Sequence, residues 1–456
     1  MLKVVNPATE EVIQELEEDS AESVVSKFKE ASCAQKAWAR RPVQERMECL
    51  RRFNGLLQER RGELAEVLTS EVGKPVKQAA GEIAAVGARV EFFIEHIESV
   101  LEPRLVLEDA AGGMTEKVSF APLGVVGNIS AWNFPYFVGA NVFVPALLAG
   151  NAVLYKPSEF ATLTGLAIAE LLYEAGVPKE VFAVLVGGGE VGKVLLEQPL
   201  GGMFFTGSHA TGVKIAEAAS RKMMRLQLEL GGKDPAYIAD DVDVASVAAG
   251  VADGAFYNAG QSCCSVERIY VHESIYEEFV EHFVSTVKGF RMGDPMNETT
   301  YLGPLTRAPQ LEVLEAQVAD ACGKGARLLA GGKAAEGPGN YFEPTVLADT
   351  TDAMEVMREE SFGPIIGLQK VADDAEALAC MNNSRYGLTA SVFTASRERA
   401  EAMLQELEAG SAYWNCCDRV SPNLPWTGWK DSGVGSTLGL EGIRAFVQPK
   451  AWHLRG

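Results

Sequence analysis

From residue 124 to 230 the sequence repeats one pattern: a short apolar run, a helical stretch, then another apolar run. The runs fall at 124–130, 152–155, 181–186, 203–205 and 226–230. Strands that short and that apolar, separated by helices, predict a parallel sheet wound on both faces. A second alternating α/β region runs from Ile269 to about Asn415, with helices at 275–287 and 310–324 and strands at 365–371, 388–394 and 411–414. The chain has 456 residues, beyond the roughly 250–300 at which one core usually splits, so two or more domains are expected.

The residues before 124 read differently. Residues 4–16 alternate around Asn6-Pro7-Ala8-Thr9-Glu10 and predict a surface hairpin. Ser20 suits the N-cap of a helix running to Trp38, and Pro42 the first turn of the next, with Met47, Leu50, Phe53, Leu56 and Leu57 at helical spacing. Gly73-Lys74-Pro75 breaks the pattern before a further helix to about Val100. This opening reads as scaffold without chemistry. A long hairpin follows, from Arg104-Leu105-Val106-Leu107-Glu108 through Ala111-Gly112-Gly113 to Glu116-Lys117-Val118-Ser119-Phe120. An isolated hairpin is marginal and needs a partner, so an oligomerisation arm is preferred over a flap on the same subunit. The tail has a short apolar segment, 443–447, followed by polar residues.

Charge narrows the function class. There are 41 basic and 62 acidic residues, a net charge of −21. That balance opposes nonspecific binding to nucleic acid or anionic membranes. The N-terminus lacks the apolar core of a signal peptide, and no run of about 18 apolar residues suggests a membrane span. Eight cysteines, at 33, 49, 263, 264, 322, 380, 416 and 417, form neither a CxxC nor a His-Cys metal spacing. They are expected as free thiols in a reducing cytoplasm, with no metal site. Cys33, Cys49, Cys322 and Cys380 read as small buried hydrophobes. Cys416 and Cys417 read as packing or lining residues. Cys264 either packs or pairs oxidatively with Cys263.

Several motifs carry chemistry. Gly187-Gly188-Gly189-Glu190-Val191-Gly192 fits G-x-G-x-x-G between a strand and a helix, the usual seat of a pyrophosphate. Phe204-Phe205-Thr206-Gly207-Ser208 is a second strand running into a helix N-terminus, where free backbone N–H groups attract an anion. Spacing does not choose between them. Lys156-Pro157-Ser158-Glu159 follows another strand end and offers partners for ribose hydroxyls, or else a solvated turn with Ser158 as an N-cap. Cys263 sits behind the polar turn Gly260-Gln261-Ser262, where a thiol can face a cleft between domains. Trp132-Asn133-Phe134-Pro135 supplies an amide, and Leu228-Glu229-Leu230-Gly231-Gly232-Lys233 a carboxylate. Thiol, amide and carboxylate together suggest covalent chemistry on a carbonyl.

These segments, with Glu360-Ser361-Phe362-Gly363-Pro364 and Lys430-Asp431-Ser432-Gly433, resemble the successive motifs of the aldehyde dehydrogenase superfamily, in order and at similar spacing across the whole chain. The resemblance implies the α/β aldehyde dehydrogenase fold. Its parts would be a Rossmann-type cofactor domain at 1–101 and 123–231, an α/β catalytic domain at 232–431, and an oligomerisation arm and tail at 102–122 and 432–456.

It also implies roles. Cys263 is the expected nucleophile, the Asn133 amide and the Cys263 backbone N–H the oxyanion donors, and Glu229 the base that activates water. Trp132, Gly207 and Ser208 fall at the pyrophosphate. Gly187 and Gly192 open the helix that flanks the adenine. Lys156, Ser158 and Glu159 fall at the adenine ribose, Glu360 at the nicotinamide ribose and Phe362 beside the nicotinamide. NAD is the expected cofactor, with NADP as the alternative, because Glu159 would repel a 2′-phosphate. Phe134, Phe137, Val138, Asn141, Val420 and Trp426 are the expected substrate pocket, and an apolar or aromatic aldehyde the expected substrate. Arg419 is a candidate for a substrate carboxylate, or a plain surface arginine. A homodimer or homotetramer in the cytoplasm is implied.

Two positions depart from the family's pattern. Val142 stands where a lysine is common, and Thr437 where many members carry a glutamate. Glu229 therefore needs another route for its proton. Glu229 itself disfavours the alternative of acyl transfer to coenzyme A. The complete Cys263, Asn133 and Glu229 set disfavours a catalytically silent scaffold.

Overall fold

A computed structural model describes residues 1–109 and 112–456. The first predicted sheet has six strands in the order Gly433–Val434, Arg225–Glu229, Gly202–Thr206, Val125–Ile129, Ala152–Lys156, Phe182–Val184. The five between 125 and 229 are parallel. Gly433–Val434 runs antiparallel along Arg225–Glu229. Register aligns Ile129 with Lys156 and with Phe205, and Thr206 with Glu229. The carboxyl ends of four strands therefore lie along one edge, where ligands bind in open α/β sheets.

The second sheet has seven strands in the order Arg327–Ala330, Thr345–Ala348, Ile365–Val371, Val266–His272, Asp234–Ile238, Thr389–Phe393, Ser411–Trp414. Only Arg327–Ala330 runs antiparallel to its neighbour. The chain passes from Glu229 in the first sheet to Asp234 in the second through Leu230-Gly231-Gly232-Lys233. Residues at the starts of the second sheet's strands thus meet residues at the ends of the first sheet's.

The opening of the chain is helical, as expected: Ala21–Arg40, Val43–Glu59, Arg61–Val72 and Val76–Leu101. Ser20 caps the first helix, accepting from Ser23 N at 3.2 Å. Pro42 is the N-cap of the second rather than a residue of its first turn. The N-terminal hairpin pairs Leu2–Val5 with Val12–Leu16. Helix Pro135–Leu148 is buried on all sides. Its apolar face closes the first core through Phe143, whose ring meets Phe53, Tyr155 and Phe182 edge-on at 5.8, 6.0 and 5.4 Å. Full burial of such a side chain is worth roughly 1.5–3 kcal/mol.

The long hairpin pairs Arg104–Asp109 with Met114–Pro122. Of its expected turn, Ala111 lies outside the described residues. The polar tail forms a strand, Val447–Arg455, that lies along the full length of Met114–Pro122. Polar residues form it because both of its faces are largely exposed. Upstream of it, Leu438, Ile443 and Phe446 are packed in the first core, where Phe446 stacks on Phe204 at 4.3 Å. Among the described residues no helix is long and apolar enough to cross a membrane.

Candidate active site

Cys263 follows a turn that only a special backbone can make. Asn258, Ala259 and Gly260 all have positive φ, at 54°, 55° and 69°. A Cβ on Gly260 would stand 2.3 Å from the carbonyl oxygen of Gly363. Side chains fix this turn to its surroundings. Asn258 N–H donates to Gln78 Oε1 at 3.0 Å, and Thr306 N–H donates to Gln261 Oε1 at 2.9 Å. Asn133 is tied in both directions. Its Nδ2 donates to the Gln261 carbonyl at 3.1 Å, and its own carbonyl accepts from Asn258 Nδ2 at 3.3 Å. The amide is therefore held beside the segment that leads into Cys263.

Glu229 reaches the same place from the first sheet. It is 8% exposed. Its Oε1 accepts from Gln227 Nε2 at 3.3 Å and from the Thr437 hydroxyl, and its Oε2 from Thr206 Oγ1 at 3.4 Å. Burial pushes its pKa up to about 7, against the pull of those hydrogen bonds and of Arg89. A carboxylate poised near neutrality can take a proton from water. The position that departs from the family, Thr437, still touches the base, now through a hydroxyl. Val142, the other, is buried in the first core and contributes no polar group.

The Gly231-Gly232 connection passes close to both neighbours. A Cβ on Gly231 would fall 2.2 Å from the Glu360 carboxylate, and one on Gly232 3.1 Å from the Cys263 carbonyl. Glu360 Oε1 accepts from Gly232 N–H at 3.2 Å, and burial, with Glu267 nearby, raises its pKa to about 8. Phe362, at φ 47°, meets Trp132 edge-on at 5.5 Å, and Trp132 meets Phe160 at 6.5 Å. The segments that carry Cys263, Asn133, Glu360 and Phe362 thus meet one another and the connection that leaves Glu229.

The residues expected at the cofactor lie along the sheet's carboxyl edge. Lys156 is buried and its Nζ donates to the Pro157 carbonyl at 3.1 Å, with Glu159 at 3.9 Å. Ser158 Oγ accepts from Phe160 N–H at 3.3 Å. Ser158 is not a helix N-cap, because the next helix, Thr162–Glu174, starts from Ala161. Helix Gly189–Glu197, after Gly187, brings Gly192 against the Lys156 stem. At the strand end before Gly187, the Val186 N–H is already taken by Asp19 at 2.8 Å. Helix His209–Ala219 starts at Ser208 with no side chain bonded to its first amides, and the Ser208 hydroxyl points instead to Thr211 at 3.1 Å. A lysine, a serine and uncapped helix amides along one edge suit a phosphate-bearing dinucleotide.

Of the expected pocket, Phe134 and Phe137 stack at 6.0 Å, Val138 and Asn141 are buried on the same helix, and Val420 and Trp426 pack with Phe137 in the first core. Trp426 also bridges to Thr437 through paired backbone hydrogen bonds of 2.7 and 2.9 Å. The helical opening, expected as scaffold, also places buried charges against the helix that follows Asn133. Lys74 sits 3.6 Å over the Phe134 ring and pairs with Glu82, both wholly buried. Glu82 Oε1 accepts from Tyr136 and Phe137 N–H at 2.9 and 3.4 Å, so it caps the helix that follows Asn133. Arg89 bonds Asn141 at 2.8 Å. A signal for these was present: Glu82, Val86, Arg89 and Phe93 share one face at i, i+4, i+7, i+11, a core stripe carrying two charges.

The cysteine readings divide. Cys33 and Cys322 are exposed and Cys49 and Cys380 half-buried, so none of the four is the buried hydrophobe expected. Cys33 and Cys322 fall outside the buried stripes of their helices, while Cys49 and Cys380 pack against the edges of the two cores. Cys264 is buried, its Sγ donating to Asp418 at 3.0 Å. Arg419 is exposed. His209 is half-buried, 3.7 Å from Asp431. Among the described residues no His, Cys, Asp and Glu group could hold a metal ion.

A doubly wound sheet whose carboxyl edge meets the turn before Cys263 suits a dinucleotide-dependent oxidoreductase. Comparison with known proteins gives the family. The model of the aldehyde dehydrogenase family matches residues 1–452. A protein of Mycobacterium ulcerans named putative succinate-semialdehyde dehydrogenase [NADP(+)] 2 is 38% identical over 433 residues, covering 94% of this chain and 84% of that one. The crystal structure of lactaldehyde dehydrogenase from Escherichia coli superposes with a TM-score of 0.96 at 34% identity, covering 100% and 95% of the two chains. PnpE, solved in complex with nicotinamide adenine dinucleotide, gives 0.96 at 34%, covering 99% and 94%. The chain belongs to the aldehyde dehydrogenase family. It is an NAD(P)-dependent enzyme that oxidises an aldehyde to the carboxylic acid.

Proposed function

We propose that oxidation runs through covalent attachment to Cys263 and ends in hydrolysis. The Cys263 thiolate adds to the aldehyde carbon, and the resulting oxyanion is met by the Asn133 amide and the Cys263 N–H. Bound nicotinamide supplies the hydride acceptor. The acyl group is then held on Cys263 as a thioester, and Glu229 takes a proton from the water that releases it as the acid. The observation that carries this reading is the Asn133 amide bonded to the carbonyl of Gln261, two residues before the thiol. A Glu229 poised near pH 7 supports hydrolysis over transfer to coenzyme A.

The pyrophosphate lies against helix His209–Ala219, with Trp132, Gly207 and Ser208, and Gly187 and Gly192 flank the adenine. Lys156, Ser158 and Glu159 hold the adenine ribose, Glu360 the other ribose, and Phe362 packs by the nicotinamide. NAD is preferred over NADP because the partly exposed Glu159 carboxylate opposes a 2′-phosphate. The cofactor part comprises 1–101 and 123–231, the catalytic part 232–431, and the hairpin with the last strand forms the arm of a cytoplasmic homodimer or homotetramer. The exposed Leu105, Val106 and Leu107 on that hairpin support a partner there.

The test is a pair of variants. Cys263→Ala abolishes NADH formation with every aldehyde, whereas Glu229→Gln leaves a rapid first turnover of NADH and slows the steady state. Retained activity in the first would remove Cys263 as nucleophile. An unslowed steady state in the second would assign hydrolysis to another base. Equal or greater kcat/KM with NADP overturns the cofactor preference.

A further inference from the structure

Arg89 is a buried cation that forms no ion pair among the described residues. It is 5% exposed and stands on the core stripe of helix Val76–Leu101. Its guanidinium lies 3.8 Å over the Phe137 ring, and Nη1 donates to Asn141 Oδ1 at 2.8 Å. Among the described residues that is the guanidinium's one hydrogen bond, and it forms no ion pair. A buried charge is costly unless paired, and an arginine fork offers five donors. Neither acid whose charge reaches it is bonded to it: Glu229 accepts from Thr437, Thr206 and Gln227, and Glu82 is committed to Lys74 and to two helix amides. Nor are the unbonded nitrogens sealed away like the partnerless hydroxyls of Tyr136 and Tyr155. Phe137 and Asn141 stand on the helix that follows Asn133, so the guanidinium is tied to that helix, and its charge acts on Glu229 and Cys263. It remains charged at neutral pH, although burial lowers its pKa to about 10.

We infer that Arg89, held by Asn141 and backed by Phe137, receives a carboxylate at the far end of the substrate, making short semialdehydes the preferred class. The inference rests on Cys263 as the nucleophile. A planar fork with free N–H groups matches a carboxylate bidentately, which a lysine would not do. It replaces the apolar or aromatic aldehyde expected from sequence. It also moves the anion receptor from the exposed Arg419 to a residue far away in the chain.

The experiment measures kcat/KM for 4-oxobutanoate and 5-oxopentanoate against their methyl esters, in the wild type, Arg89→Met and Arg89→Lys. The wild type favours at least one acid over its ester. Arg89→Met lowers that ratio about 10- to 100-fold, the worth of charge-assisted hydrogen bonds, chiefly through KM. Arg89→Lys restores part of it. A second readout needs no turnover and no variant: succinate slows alkylation of Cys263 by iodoacetamide in the wild type, and succinamide does not. Esters oxidised as well as both acids by the wild type, a ratio unchanged in Arg89→Met, or equal protection by succinate and succinamide would each overturn the inference while leaving the Cys263 reading intact. NADH formation that survives Cys263→Ala would instead overturn that reading and this inference with it.

Discussion

Replacing Glu267 by Gln tests how the cofactor loop is held. Lys233 and Glu267 form a buried pair at 2.6 Å, with side chains 0% and 5% exposed. Glu267 also accepts from Ser361 N–H at 2.9 Å and from Phe362 N–H at 3.0 Å. Lys233 donates in addition to Ser361 Oγ at 3.0 Å. One pair thus fixes the backbone that presents Glu360 and Phe362. Gln keeps the shape but removes the charge and one acceptor, leaving the ammonium uncompensated. Breaking a buried pair in this way costs about 3–5 kcal/mol. For a domain of this size that lowers Tm by roughly 6–20 °C. Burial already lowers the Lys233 pKa and Glu267 opposes that shift, so losing Glu267 lowers it further. Between that lowered value and the ordinary lysine value the unfolded chain binds more protons than the folded one, so the loss is full below that window and shrinks as pH rises through it. Thermal unfolding followed by circular dichroism between pH 6 and 9 gives the loss and its slope. Fluorescence titration with NAD gives the loop effect, a weaker affinity. The double variant Lys233→Met, Glu267→Gln removes the orphaned charge and recovers at least half of the loss. A Tm within 2 °C of the wild type, or a double variant less stable than the single one, would refute the reasoning.

Two further outcomes follow from the site. Thr437→Val removes the strongest downward influence on Glu229. Because the base must be ionised, steady-state turnover rises with pH through about 7 in the wild type, and the variant's rise moves up by about 1 pH unit. An unmoved profile would show that the hydroxyl does not set the base. Gly260→Ala puts a Cβ against the Gly363 carbonyl at a φ of 69°. It costs at least about 1–2 kcal/mol from backbone strain alone, read as a lower Tm together with slower NADH formation; a wild-type melting curve would contradict the turn geometry.

Local patterns carried far into this fold because each needed only near neighbours. Ser20 was legible as a cap since its acceptor role is served three residues on. The strands at Ile365–Val371 and Ser411–Trp414 were legible since their composition is apolar and bounded by turns. The polar strand Val447–Arg455 was not, because its identity comes from pairing with Met114–Pro122. Ordered motifs propose Cys263, Asn133 and Glu229 as a set, and the Asn133 bond to Gln261 brings two of their segments together. Lys74, Glu82 and Arg89 were hidden for the opposite reason: their roles are defined by Phe134, Tyr136, Phe137 and Asn141, about 50 residues downstream, and helical spacing alone makes them look like scaffold. Glu267 was passed over because its partners, Lys233 and Ser361, lie 34 and 94 residues away.

The strand beside Glu229 has a consequence for synthesis on the ribosome. Gly433–Val434 covers the edge strand that carries the base, and Thr437 supplies its hydroxyl, 208 residues downstream of Glu229. Trp452 then ties the last strand to Ser119 across 333 residues. Both ends of these pairings must exist before either forms, so the sheet bearing the base keeps an open edge through most of translation. A nascent chain can fold its helical opening and display Cys263 while the Glu229 carboxylate still lacks its neighbours. Late closure exposes an unpaired strand to other nascent chains. It also delays assembly of the full site until the segment around residue 437 has emerged.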